Sequence, residues 1–105
     1  MAGSWQEGEA GWKFLKEDGS YAASTWGRIN NKWYYFDANS NMVTGWYVVN
    51  GQWYYMNPAA GDGQGAMVTG WHFDPVYQTW FYLVSEGSMA TGWQLVGDKW
   101  YYLNP

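Results

Sequence analysis

The sequence predicts an all-β fold, a solenoid of about five stacked β-hairpins with a repeat of roughly 20 residues. Three observations carry that expectation. Tryptophans recur in pairs along the whole chain, and short turn-forming dipeptides separate runs of aromatic and β-branched residues. Aromatic residues make up 23% of the 105 positions against 13% charged, while Leu, Ile and Val are sparse. Ten Trp and ten Tyr carry too much apolar surface to remain solvated, so the chain is not disordered. The core must then be built from rings rather than from aliphatic side chains.

The first unit, "WQEGEAGWKFLKEDGSYAASTW", sets Trp5 and Trp12 seven residues apart. It is degraded, with Phe14-Leu15 where later units have paired aromatics, and it lacks a glycine before Trp26. The second, "WGRINNKWYYF", places Asn30-Asn31 between the strands of Trp26 and Trp33. The third, "TGWYVVNGQWYYMNP", places Asn50-Gly51 between Trp46 and Trp53, a strong hairpin signal. The fourth, "WHFDPVYQTW", stretches the spacing of Trp71 and Trp80 to nine, and the fifth, "GWQLVGDKWYYLNP", returns to seven with Trp93 and Trp100 around Gly97-Asp98. Small-residue approaches, "NMVTGW", "AMVTGW" and "SMATGW", lead into the last three units, and glycine at 45, 70 and 92 suits a tight bend. One domain over residues 1–105 follows, with repeats near 5–25, 26–45, 46–70, 71–92 and 93–105. An isolated hairpin is marginally stable, so stability must come from stacking.

Side chains alternate faces along a strand, so in "WYYL" the Trp shares a face with the second Tyr. The two Trp of a hairpin can meet on that face, and the second Tyr of the following unit is expected to approach them. One aromatic notch would form at each of four junctions. With no lysine or arginine expected beside it, such a notch suits a quaternary ammonium, held by cation–π attraction, or the apolar face of a sugar ring. The first Tyr of each pair (Tyr34, Tyr54, Tyr101), with Phe36, Met56, Leu83 and Leu103, is expected in the core.

The units "TGWYVVNGQWYYMNP" and "GSMATGWQLVGDKWYYLNP" resemble choline-binding repeats, the wall-anchoring modules of Gram-positive surface proteins, autolysins and phage lysins. The resemblance runs from Trp5 to Pro105 and is most specific from Trp26 onward. It implies a left-handed superhelix of hairpins that binds choline or phosphocholine on wall or lipid-linked teichoic acids. Family sites use two Trp of one hairpin, a Tyr of the next and often a Met. Carried over by position, the first site takes Trp5, Trp12 and Tyr35. The second takes Trp26, Trp33, Tyr55 and Met42, and the third Trp46, Trp53, Tyr82 and Met67. The fourth takes Trp71, Trp80, Tyr102 and Met89. The first unit has no Met at the matching place, with Tyr21 one residue out of register. The nine-residue spacing threatens one wall of the fourth site, and the loop at 58–66 the openness of the third.

Other classes of function find little. A net charge of −4 with five basic residues argues against nucleic acid. No apolar run approaches the roughly 20 residues that span a bilayer, so no membrane insertion is expected. His72 has no companion for a metal or nucleophile site, and Asp74 reads as a turn residue before Pro75. Asp62 in "AAGDGQG" is one carboxylate where calcium needs several ligands. No carboxylate pair can be nominated for glycoside hydrolysis. The expectation is therefore a non-catalytic binding module with no metal or cofactor. Glucan binding is one alternative, and a structural or dimerising scaffold joined through a terminal hairpin is the other. The opening "MAGSWQEGEAGW" has no basic or apolar signal region. The expected setting is extracellular and wall-associated, the chain being read as an excised module.

Overall fold

A computed structural model describes residues 2–9, 11–61 and 63–104. Among them are ten strands in five antiparallel hairpins. They are β1 Gly3–Gly8 with β2 Gly11–Lys16, β3 Thr25–Ile29 with β4 Lys32–Phe36, and β5 Gly45–Val49 with β6 Gln52–Met56. β7 Gly70–Asp74 with β8 Thr79–Leu83 and β9 Gly92–Val96 with β10 Lys99–Leu103 complete the set. Asn30 and Asn31 both take positive φ, as do Asn50 and Gly51, the backbone that a two-residue turn needs to match strand twist. The turn signals read from the sequence therefore fall where the chain reverses.

The fourth hairpin absorbs its two extra residues entirely in the turn. Trp71 faces Tyr82 and Phe73 faces Trp80 across its strands, the same register in which Trp46 faces Tyr55 and Val48 faces Trp53. The expected displacement of a wall does not occur: Trp71 and Trp80 lie 6.4 Å apart at 87°, against 6.4 Å and 88° for Trp5 and Trp12. Asp74 makes this possible. Its Oδ1 accepts from the amides of Val76 and Tyr77 at 2.9 and 3.2 Å, which closes the longer turn.

Each hairpin is its own two-stranded sheet, and among the described residues no ladder joins one hairpin to the next. Stacking is done by rings, by three single amide bridges and by side-chain hydrogen bonds from Lys13 Nζ to the Asn39 carbonyl and from Trp46 Nε1 to Asp74 Oδ2, each at 2.7 Å. The N–H groups of Met42, Met67 and Met89 donate to the carbonyls of Trp12, Trp33 and Trp53, each at 2.8 Å. Every bridge runs from the segment after one hairpin back to the hairpin before it. Inside, Phe36, Met56 and Leu83 are fully buried, one per repeat, with Phe14 and Ala22 continuing the core toward the N-terminal end. Phe36, Met56 and Leu83 follow the second Tyr, on the face opposite the Trp pair, as alternation requires, whereas Phe14 lies across from Trp5 on the Trp face. The result is elongated, 47 × 24 × 24 Å.

Candidate functional site

Consecutive hairpins meet with opposite faces. One presents its Trp pair; the next presents the face that carries the residue immediately after its second Trp. Trp5 therefore meets Tyr34 at 4.9 Å, Trp26 meets Tyr54 at 4.8 Å, Trp46 meets Phe81 at 4.9 Å and Trp71 meets Tyr101 at 4.8 Å. Each of these contacts is tilted steeply, between 66° and 72°. Edge-to-face packing of this kind suits the ring quadrupole.

The sequence had assigned these contacts to Tyr35, Tyr55, Tyr82 and Tyr102. Those residues lie across the strands from the first Trp of their own hairpin, and of the four Tyr102 also lines the cleft of Trp71 and Trp80 to which it was assigned. Their ring separations from Trp26, Trp46, Trp71 and Trp93 are 5.2, 4.9, 5.0 and 5.2 Å. Tyr35 and Tyr55 also pack forward, on Tyr47 at 5.4 Å and on His72 at 4.0 Å. The second Tyr thus shares the Trp face of its own unit, and the first Tyr closes the unit before. Phe81 shows that the closing contact needs the ring and not the hydroxyl. Tyr34, expected in the core, is buried and also lines the first cleft, and its hydroxyl pKa is raised by that burial.

The methionines shift by one junction as well. Met42 lines a cleft with Trp5, Trp12 and Tyr34, so it belongs to the first site rather than the second. By the same kind of bridge the amide of Met67 is tied to Trp33 and that of Met89 to Trp53, the tryptophans of the second and third pairs. Tyr21 is in register after all. It bridges to Leu15 as Met42 does to Phe36, Met67 to Met56 and Met89 to Leu83. The extra residue lies after it, before Trp26.

Glycine holds two of these thioethers in place. A Cβ at Gly65 would overlap the sulfur of Met42, and one at Gly87 the sulfur of Met67. Both glycines have positive φ, +84° and +94°. The loop at 58–66, expected at the third site, reaches the first instead: Gly61, Gly63 and Gln64 line the cleft of Trp5 and Trp12. Asp62, weighed for calcium, lies outside the described residues.

The junctions differ in charge. The first is a cleft of about 630 Å³ whose polar side includes Asn30 and Lys32. The fourth, about 530 Å³, is lined by Trp71, Trp80, Tyr101, Tyr102 and Leu103. In the second hairpin Arg28 faces Trp33 across the strands. The expectation of junctions without nearby cations thus fails at the first. The third carries an acid. Asp74 is 4% exposed, and its Oδ2 accepts from Trp46 Nε1 at 2.7 Å and lies 3.8 Å from His72 Nε2. The Trp46 hydrogen bond, with the two turn amides and His72, holds its carboxyl below the usual value in spite of burial. Sequence reading gave Asp74 its turn but not its indole partner, because 28 residues separate the two. Among the described residues no group of three His, Cys, Asp or Glu side chains comes together to hold a metal.

Two or more electron-rich rings with a thioether, open to solvent on one side, can hold an alkylated cation that needs no hydrogen-bond partner. Comparisons with known proteins bear on that chemistry. A family model for the choline-binding repeat matches residues 22–69, and one for a cell wall binding repeat matches residues 91–105. No curated protein sequence matches the chain at a significant level. Among solved structures, CbpJ from Streptococcus pneumoniae TIGR4 superposes with a TM-score of 0.83 at 37% identity, covering 98% of this chain and 33% of that one. Choline binding protein F from Streptococcus pneumoniae, solved with a peptidoglycan analogue, gives 0.84 at 41% identity over 98% of this chain and 32% of that one. The modular autolysin LytC from the same species, in complex with a synthetic peptidoglycan ligand, gives 0.73 at 41% identity over 96% and 22%. The chain thus spans a third or less of the length of these structures.

Proposed function

This chain belongs to the choline-binding repeats, and from that we propose that it is a non-catalytic module that holds choline-bearing cell-wall polymers. The observation that carries the reading is the repeated ring frame: the first Trp of each pair is closed by the next hairpin's aromatic residue at four successive junctions. The sites we assign are Trp5, Trp12, Tyr34 and Met42, then Trp26, Trp33, Tyr54 and Met67. Trp46, Trp53, Phe81 and Met89 make the third, and Trp71, Trp80, Tyr101 and Tyr102 the fourth. Each contact of a quaternary ammonium with a ring contributes about 0.5–2 kcal/mol, so single sites are weak. Linked along a polymer that repeats its ligand, they gain from high local concentration. The setting that follows is the outer face of a Gram-positive wall, where any catalytic partner would be carried by a separate domain.

Tryptophan fluorescence and near-UV circular dichroism during a choline titration test the reading, with glucose oligomers as parallel ligand. Saturation at millimolar choline and a rise in melting temperature are expected. A response to the oligomers alone would move the module to glucan binding. The scaffold or dimer reading has no observation in its favour.

A further inference from the structure

Lys32 stands where a site for a bare cation is least served by it. It lines the first cleft beside Trp5, Trp12, Tyr34 and Met42, and its Nζ lies 3.6 Å from where a Cβ on Gly63 would stand. The inserted loop after the third hairpin therefore forms the wall against which the amine rests. Asn30, in the turn between β3 and β4, lines the same cleft. The lining thus combines aromatic rings and a thioether with a positive charge and an asparagine. Glu7 faces Trp12 across β1 and β2, but it is exposed and does not line the cleft. A quaternary ammonium alone would be repelled by the Lys32 amine; one bearing an anion next to it would not.

Resting on the choline reading above, we propose that the first cleft is a bipartite site for a zwitterion. It takes the trimethylammonium of phosphocholine among Trp5, Trp12, Tyr34 and Met42 and the phosphate on Lys32, with the Asn30 amide as second donor. Lysine suits this task as a flexible point charge for phosphate oxygens. The second junction serves as a comparison: Gln52 holds there the register position that Lys32 holds in the preceding hairpin, and its cation, Arg28, lies instead across the strands from Trp33. Lys99 repeats the lysine in β10 but does not line the fourth cleft. Phosphate selectivity is thus a property of the first site, created by Lys32 together with the loop that backs it.

The methionines allow each junction to be read separately. With methyl-13C methionine in the whole chain, the Met42 and Met67 resonances follow titrations of choline and of phosphocholine. At Met42, phosphocholine is expected to bind roughly two- to fivefold more tightly than choline, the size of an exposed ion pair, and the ratio shrinks with added salt. At Met67, where Arg28 rather than a lysine stands near the Trp pair, the ratio is smaller and is unchanged by Lys32→Gln. Lys32→Gln brings the Met42 ratio down to that of Met67. Equal ratios at the two methyls, or a Met42 ratio untouched by Lys32→Gln, would overturn the proposal while leaving the choline reading intact. Silence of both methyls toward both ligands sinks the choline reading itself, and this inference with it.

Discussion

At the first junction Trp5 meets Tyr34 at 4.9 Å and 72°; at the third Trp46 meets Phe81 at 4.9 Å and 66°. What surrounds these matched pairs is opposite in charge. The first opens into a cleft with Lys32 on its rim, while the third has a buried carboxylate bonded to the indole of Trp46. The ring frame follows from strand alternation and from the spacing of two tryptophans, so every hairpin reproduces it. Charge comes from turn and loop positions that the repeat leaves open: Asp74 at the start of a lengthened turn, and Lys32 backed by a lengthened linker. One scaffold can therefore present junctions of different electrostatic character.

The largest expected break in this comparison is at Asp74. Asp74→Ala strips Trp46 of its acceptor and the turn of its cap, and should lower stability by about 2–3 kcal/mol in chemical denaturation. Lys32→Gln, at the matching edge of the first junction, should stay within about 0.5 kcal/mol. If Asp74→Ala were as mild as Lys32→Gln, the third junction would not be held by its carboxylate. A double-mutant cycle with Trp46→Phe sharpens the point, and coupling above about 0.5 kcal/mol is expected for groups in contact.

Gly65→Ala should come next. Left-handed backbone costs a side chain about 1–2 kcal/mol, and the new methyl displaces the Met42 thioether. Choline should then weaken at the first junction, read from ring-current shifts of nearby resonances, with the Met89 methyl of the third unmoved. Loss of stability without any change at the first junction would remove Met42 from that site.

The smallest effect is acid sensitivity. The folded Asp74 carboxyl titrates below its ordinary value of 3.8, so its contribution is complete above that value and lost as pH falls through the lower folded one. Wild type should therefore lose stability over this acid range more steeply than Asp74→Asn, measured by thermal melts. Parallel curves for the two would contradict the assignment.

Much of the frame was legible in advance. Trp spacing, turn dipeptides and the alternation rule gave the five hairpins and the buried Phe36, Met56 and Leu83. The expected meeting of the two tryptophans is seen in the first and fourth hairpins. The closing ring was misassigned because alternation within a hairpin does not say which face the next hairpin turns toward it. That orientation is a stacking property, set by the linker. The clue lay in the fourth unit, where Phe81 stands for the first Tyr while the ring at that position is kept. The methionines slipped for a related reason. Each was read with the tryptophans of the hairpin it follows, yet its amide reaches back one hairpin further. Asp74 and Trp46, 28 residues apart, leave no local pattern at all.

The three amide bridges from Met42, Met67 and Met89 have a mechanical consequence. Among the described residues no ladder runs along the 47 Å axis, so a pull on the two ends is carried in series by single hydrogen bonds and ring contacts. Under load the chain should yield one hairpin at a time, each release paying out a similar length of slack. The force trace would be a sawtooth rather than a single rupture. A ligand clamped between rings would raise the tooth of its own junction and leave the others unchanged. An anchor of this design gives way in steps, and after each step the remaining junctions keep their grip.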